Sequence, residues 1–306
     1  MRTAPVLAVL LPTAALHAQQ QAPLGPIAAI LEAFTTHQVV AIAEEHGNEL
    51  GHAFRLSLIR HPRFAAIVDD IVVESGNTRY QDVMDRFVRG EEVPYPTLRQ
   101  VWQNTTQAGP IWDRPIYEEL FRAVRAVNAA RTDDRRVRVL LGDPPIDWDS
   151  VTKPEDLRGR WNRSWHPAEI VEREVLARKR RALVIYGGGH LWRQNAAGAT
   201  LVERLDTASP GSVFTIMIAA ANFEIVQPDK SQWRVPSLAL TRGTSLENQV
   251  DALLYLGPES ARTWSRLSPS LCADSAYRKM RLHRMSLAQG AERAAEVLNK
   301  ECGGVK

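Results

Sequence analysis

Cysteine is almost absent from this chain. Of 306 residues only Cys272 and Cys302 are cysteines. That excludes a cysteine-built zinc or iron–sulfur site and a disulfide-dense scaffold. Two cysteines suffice for one bridge, which in an oxidising compartment would close the C-terminal region. A strong charge of one sign is lacking too, since 38 Lys and Arg stand against 35 Asp and Glu. The pI near 9.0 comes from scattered positions. The local clusters, residues 178–181 and Arg135-Arg136, fall at the ends of expected helices, where cations suit the helix dipole. Nucleic-acid binding is therefore not expected. No apolar run reaches the length of a transmembrane segment. Several catalytic signatures are missing as well: there is no P-loop lysine motif and no His-Glu-x-x-His. There is no Gly-x-Ser-x-Gly elbow either, which argues against an ordinary serine α/β-hydrolase.

What remains is a globular composition, 44% hydrophobic and 24% charged. Residues 1–18 read as a secretory signal: Arg2 is a short basic start, residues 4–16 a short apolar core, and Leu16-His17-Ala18 an imperfect cleavage site. The mature protein is thus expected to be exported, periplasmic or secreted. Residues 19–306 are expected to form a single α/β domain, with a core over about 27–256 and a helical extension over about 257–306.

Five apolar runs punctuate that core, at residues 39–43, 71–73, 137–141, 182–186 and 213–220. Shorter ones lie at 237–240 and 252–256. Helix-period stretches separate them, as in residues 80–90, 115–130 and 168–181. This β-α-β-α order predicts a largely parallel central sheet with helices on both faces. Asp113 is expected to cap the 115–130 helix, with Pro115 in its first turn. Residues 91–109, rich in Pro, Thr and Gln, are expected to be an irregular flap. Residues 273–299 read as a polar helix on the outside.

The chemistry gathers where the runs stop. The first ends in Glu44, Glu45 and His46, the second in Glu74, the third in Asp143 after Gly142, and the fourth in Gly187-Gly188-Gly189-His190. A parallel sheet with right-handed crossovers sets all its carboxyl ends along one edge, where such folds bind ligands. One acidic residue after a strand commonly caps a helix. Four such ends, two of them with histidine, point to a site. His46 or His190 suits a general base, because imidazole titrates near neutrality. Glu44 or Glu74 would orient it. Alternatively His46, Glu74 and His190 would hold a divalent metal that activates water. Glu45, Asn48, His52, Gln81, Asp143, Gly188 and Gly189 are the candidate ligand contacts. The three glycines allow close backbone approach, but they do not make a dinucleotide fingerprint. Trp102, Trp112, Trp148, Trp161 and Trp165 lie in long connections, where they either grip a ligand or pin loops.

These residues resemble a known pattern. Ala43-Glu44-Glu45-His46-Gly47-Asn48, followed by His52, resembles Gly-Glu-x-His-Asp-Asn with a histidine in the next helix. Val73-Glu74 with Gln81 resembles the second block of that pattern, and Tyr186 to His190 its Gly-x-Gly-His block. Together they resemble the ChaN-like, erythromycin esterase-like and Tiki superfamily over residues 39–192. The resemblance implies Glu44, His46, Glu74 and His190 as core site residues. It also implies a small-molecule or peptide substrate, and haem or a divalent metal as cofactor in some branches. Ala43 stands where glycine is usual, Gly47 where the haem-binding branch has aspartate, and no lipid-attachment cysteine follows the signal. The expected function is an exported hydrolase acting on an ester or amide. The alternative is a haem- or metal-binding protein without turnover.

Overall fold

Each apolar run becomes a strand. The computed structural model describes residues 25–158, 162–194 and 198–303; the signal-like stretch 1–18 and Trp161 lie outside them. The strands are β1 Val39–Glu44, β2 Asp70–Asn77, β3 Arg138–Asp143, β4 Ala182–Gly187, β5 Val213–Ala219, β6 Ser237–Leu240 and β7 Ala252–Tyr255. They form one sheet in the order β3-β2-β4-β1-β5-β7-β6. Every pairing is parallel except that of β6 with β7.

The sheet is covered on both sides, which is why its strands read as unbroken apolar runs. Alternate side chains of β1 serve opposite layers. Val40 and Ile42 join the layer of helices Pro26–Ala33, Glu49–Ile59, Gln81–Arg89 and Pro115–Asn128. Val39, Ala41 and Ala43 pack under helices Trp165–Val171 and Leu201–Ala208. Among the described residues no helix is long and apolar enough to cross a membrane.

Four expectations need correction. Asp113 does not cap the helix Pro115–Asn128, whose first turn carries no side-chain cap. Its carboxylate is instead buried against Arg281, at 2.8 and 2.7 Å, and against the Tyr277 hydroxyl. Residues 91–109 hold two short helices, Tyr95–Leu98 and Gln100–Gln103, pinned by buried Leu98, Val101 and Trp102. The 168–181 helix begins earlier, at Trp165, and widens over Glu172–Leu176. The C-terminal stretch is two helices, Ser275–Gln289 and Ala291–Glu301, broken at Gly290 with φ +88°. The polar look of that stretch hid buried Arg281, which the Asp113 pairing keeps charged. Cys272 and Cys302 form a disulfide.

Candidate functional site

Register decides which strand ends meet. Ile42 of β1 and Val73 of β2 both pair with Ile185 of β4, which lies between them. Glu44 is then level with Gly187, and Glu74 follows Val73 on the other side. Two carboxylates therefore flank one glycine at the sheet edge. The Gly187 amide donates to Glu74 Oε2 at 2.8 Å. A Cβ on Gly187 would lie 3.1 Å from two His46 ring atoms and 3.2 Å from Glu74 Oε2. The absence of a side chain there is what lets the imidazole and the carboxylate close over the backbone.

His46, just past β1, stands between the two acids. Its Nδ1 is 3.7 Å from Glu44 Oε1 and its Nε2 is 3.8 Å from Glu74 Oε2. The Trp112 ring stands edge-on to it at 4.7 Å between centres. His190 sits on the short turn Gly188–His190, where Ser164 Oγ meets its Nδ1 at 3.0 Å and Glu74 Oε1 lies 3.6 Å from its Nε2. Arg163 pairs with the same Glu74 oxygen, and its Nε lies 3.7 Å from Asp143 Oδ1. With the Gln107 amide turned to present its oxygen, Arg163 also donates there at 2.8 and 2.9 Å. Asp143 accepts from Thr106 N at 2.6 Å and Thr106 Oγ1 at 2.5 Å. Arg55, almost wholly buried, reaches to 4.0 Å from Glu44 Oε1.

Exposure separates two kinds of residue. The side chains of His46, His190 and Arg163 are 25%, 22% and 30% exposed, whereas those of Glu44 and Glu74 are 4% and 3%. A bound molecule would therefore touch imidazole and guanidinium, with the carboxylates behind them. Burial pushes the Glu44 carboxyl up, but His46 and Arg55 outweigh it and the net shift is downward. Burial likewise opposes ionisation of Glu74, yet His190, Arg163 and His46 bring it down to about 2. For His46 burial favours the neutral ring, but Glu44 and Glu74 prevail over burial and Arg163, so its affinity for a proton is raised. Burial pushes Asp143 up to about 7 against the Thr106 hydrogen bonds and Arg163, with the charge of Glu74 adding to the rise. Glu44 Oε1, His46 Nδ1, Arg55 Nε and Nη1, Trp112 Nε1, Arg163 Nε and Tyr186 Oη are buried without a hydrogen-bond partner. Most of these atoms cluster around Glu44, His46 and Arg163, where a bound molecule or water would supply their partners.

The structure thus brings together Glu44, His46, Glu74, His190 and Asp143, and sets other candidates apart. Glu45 pairs with Arg262 at 2.8 Å. Asn48 is a helix cap, accepting from Gly51 N at 3.0 Å. His52 bridges to Glu119 on the neighbouring helix at 3.1 Å. Gln81 spends its amide on the outer edge of β3, giving to Val139 O at 2.7 Å and taking from Leu141 N at 2.8 Å. Gly188 packs its backbone against Met217, where a Cβ would come within 2.8 Å of Cε. Gly189 lies on the same short turn as His190.

Arg55 and Arg163 escaped the sequence reading, whereas Trp112, expected either to grip a ligand or to pin a loop, stands against the His46 ring. Arg55 carried a signal, since it lies one helical turn from Gly51 on a buried face of Glu49–Ile59. Arg163 had none, because it sits in an irregular connection and acts across 89 residues of chain.

The donor set does not suit a metal ion. Both Glu74 oxygens are taken, by Arg163 and by the Gly187 amide. A cation beside them would have to displace a guanidinium. Among the described residues no three His, Cys, Asp or Glu side chains are spaced to hold a metal ion.

No protein-family model and no curated protein matches the chain. Among solved structures, a Bacillus cereus protein is similar with a TM-score of 0.51 at 12% identity, over 78% of this chain and 91% of that one. That likeness shows the fold. The type III effector HopBA1 is similar with a TM-score of 0.45 at 16% identity, over 77% of this chain and 94% of that one. ChaN of Campylobacter jejuni, described with cofacial haem, reaches 0.44 at 9% identity, over 74% and 90%. These last two are too distant to bear on ligand or activity.

Proposed function

We propose that this chain is a hydrolase in which His46 takes the proton from a water molecule attacking an ester or amide carbonyl. The observation that supports this most is the setting of His46: a quarter-exposed imidazole held between two buried carboxylates. Glu44 faces Nδ1, which favours the tautomer with the proton there and leaves Nε2 as the base. Glu74 stabilises the imidazolium that forms. Water oxygen bonds to the carbonyl carbon, and the carbonyl oxygen takes up the negative charge. Arg163 and His190 share the exposed wall with His46 and are placed to hold that oxyanion. The imidazolium then returns its proton to the departing alcohol or amine as the carbonyl re-forms, giving a carboxylic acid.

We also place this reaction outside the cytoplasm, on the strength of residues 1–18 and of the Cys272–Cys302 bridge. The test is a panel of ester, lactone and peptide substrates, assayed with and without divalent cations. Turnover that is abolished in a His46→Ala, His190→Ala double variant supports the proposal; turnover unchanged in that variant refutes it.

A further inference from the structure

The loop that carries His46 is gripped from outside the sheet. On one side the 262–265 segment lies along it: Ser265 N donates to Gly47 O at 2.8 Å, and Glu49 N donates to Thr263 O at 3.0 Å. On the other side Arg114 Nη1 donates to the carbonyl of His46 itself at 3.2 Å. This approach needs Gly47, whose φ is +88° and whose added Cβ would lie 2.1 Å from Arg114 Nη1. Arg114 is held in turn, because its Nη2 meets both oxygens of Glu301 at 3.0 Å. Glu301 ends the helix Ala291–Glu301, and the next residue, Cys302, is bonded to Cys272. The residues just before Arg114 are fixed by the same C-terminal helices. Asp113 pairs with Arg281, with side chains 0% and 1% exposed, and Trp112 stands against the His46 ring.

We propose that Arg114, set by Glu301, is a positioning residue for His46, and that the Cys272–Cys302 disulfide makes this positioning sensitive to redox state. Arg114 thus shares its two terminal nitrogens between the Glu301 carboxylate and the His46 carbonyl, and a charge-assisted hydrogen bond of this kind is among the stronger polar contacts a protein makes. A helix end is its least stable part, and the disulfide ties down the end that carries Glu301. A dithiol reductant supplies two electrons and two protons: the S–S bond breaks, two thiols form, and the dithiol becomes a disulfide. The freed helix end no longer holds Glu301 against Arg114, and the His46 carbonyl loses its donor. The ring then shifts relative to Glu44, Glu74 and Arg163, the charged groups that set its proton affinity.

The inference rests on the reading of His46 as the base, but its first readout needs no turnover. The His46 imidazole is followed by proton NMR as pH is varied, its resonance assigned by loss in His46→Gln. The oxidised protein, the dithiothreitol-reduced protein, Glu301→Gln, Arg114→Lys and Cys272→Ser/Cys302→Ser are compared. Glu296→Gln, which removes an exposed pair with Arg293 on the same helix, is the control. The raised titration of the oxidised protein is expected to fall toward the ordinary imidazole value in every member except the control. Arg114→Lys keeps charge and disulfide but cannot span both partners, so it decides the matter if reduction unfolds the helices. Ester turnover is expected to drop roughly tenfold in kcat in Glu301→Gln, with KM little changed. An unshifted His46 titration in Glu301→Gln and Arg114→Lys would overturn the inference. A shifted titration with no turnover in any form would instead refute the hydrolase reading and leave the coupling standing.

Discussion

Glu74 and His46 face each other at 3.8 Å across the Gly187 backbone, whose amide holds the carboxylate. The acid is almost wholly buried and ionised, and the imidazole is partly exposed, so the charge sits behind the group that meets water.

Replacing the acid tests this division of labour. Glu74→Gln removes the partner of His46, His190 and Arg163 together, and activity is expected to fall about 10–100-fold. Stability should change too, in a pH-dependent way. The folded carboxyl titrates at about 2 against 4.5 for the free side chain. Its contribution, on the order of 3 kcal/mol, is therefore present above pH 4.5 and is lost as pH falls from there toward 2. Denaturant melts at several pH values should show the acid-side slope flattened in Glu74→Gln. A slope identical to that of the parent would contradict the assignment.

Arg163 and Glu74 should move His46 in opposite directions. The guanidinium disfavours the charged imidazole and the carboxylate favours it. Arg163→Gln is expected to shift the His46 titration upward, and Glu74→Gln to shift it downward, both visible in imidazole NMR. If Arg163 also holds the oxyanion, kcat should drop by about 100-fold or more. Two shifts of the same sign would be incompatible with this arrangement.

Gly187→Ala isolates the close approach. Gly187 has φ −51° and ψ 137°, which alanine adopts without strain. The added methyl meets His46 and Glu74 at 3.1–3.2 Å, so the partly exposed His46 ring has to shift by a few tenths of an ångström. Stability should change by no more than about 1 kcal/mol, while activity falls at least tenfold. Full activity with a large stability loss would mean that Gly187 serves packing.

Much of the fold was legible because the strands are buried on both faces. Residues 39–43 and 182–186 contain no polar side chain other than the Tyr186 hydroxyl, so a strand end stands out wherever a charge appears. The same contrast exposed Glu44, His46, Glu74 and His190. What the sequence hid are charges that enter the site from elsewhere. Arg163 comes from a loop between β3 and β4, and Arg55 from a helix that otherwise reads as amphipathic. Asp113 misled for a related reason: an acid before a proline-started helix looks like a cap, but here its partner, Arg281, lies 168 residues away. Gln81 misled as well, because the need of edge strand β3 for hydrogen-bond partners leaves no trace in local spacing.

The central claim is that a His46 imidazole with raised proton affinity is the base. The most direct measurement is the pH dependence of kcat/KM for hydrolysis of an activated ester by the parent and by His46→Gln. The parent should lose activity as pH falls through a single midpoint above the ordinary imidazole value of 6.5, because a base must be unprotonated to act. His46→Gln should show no such limb and only residual turnover. Hydrolysis of equal rate and the same profile in both proteins would contradict the account.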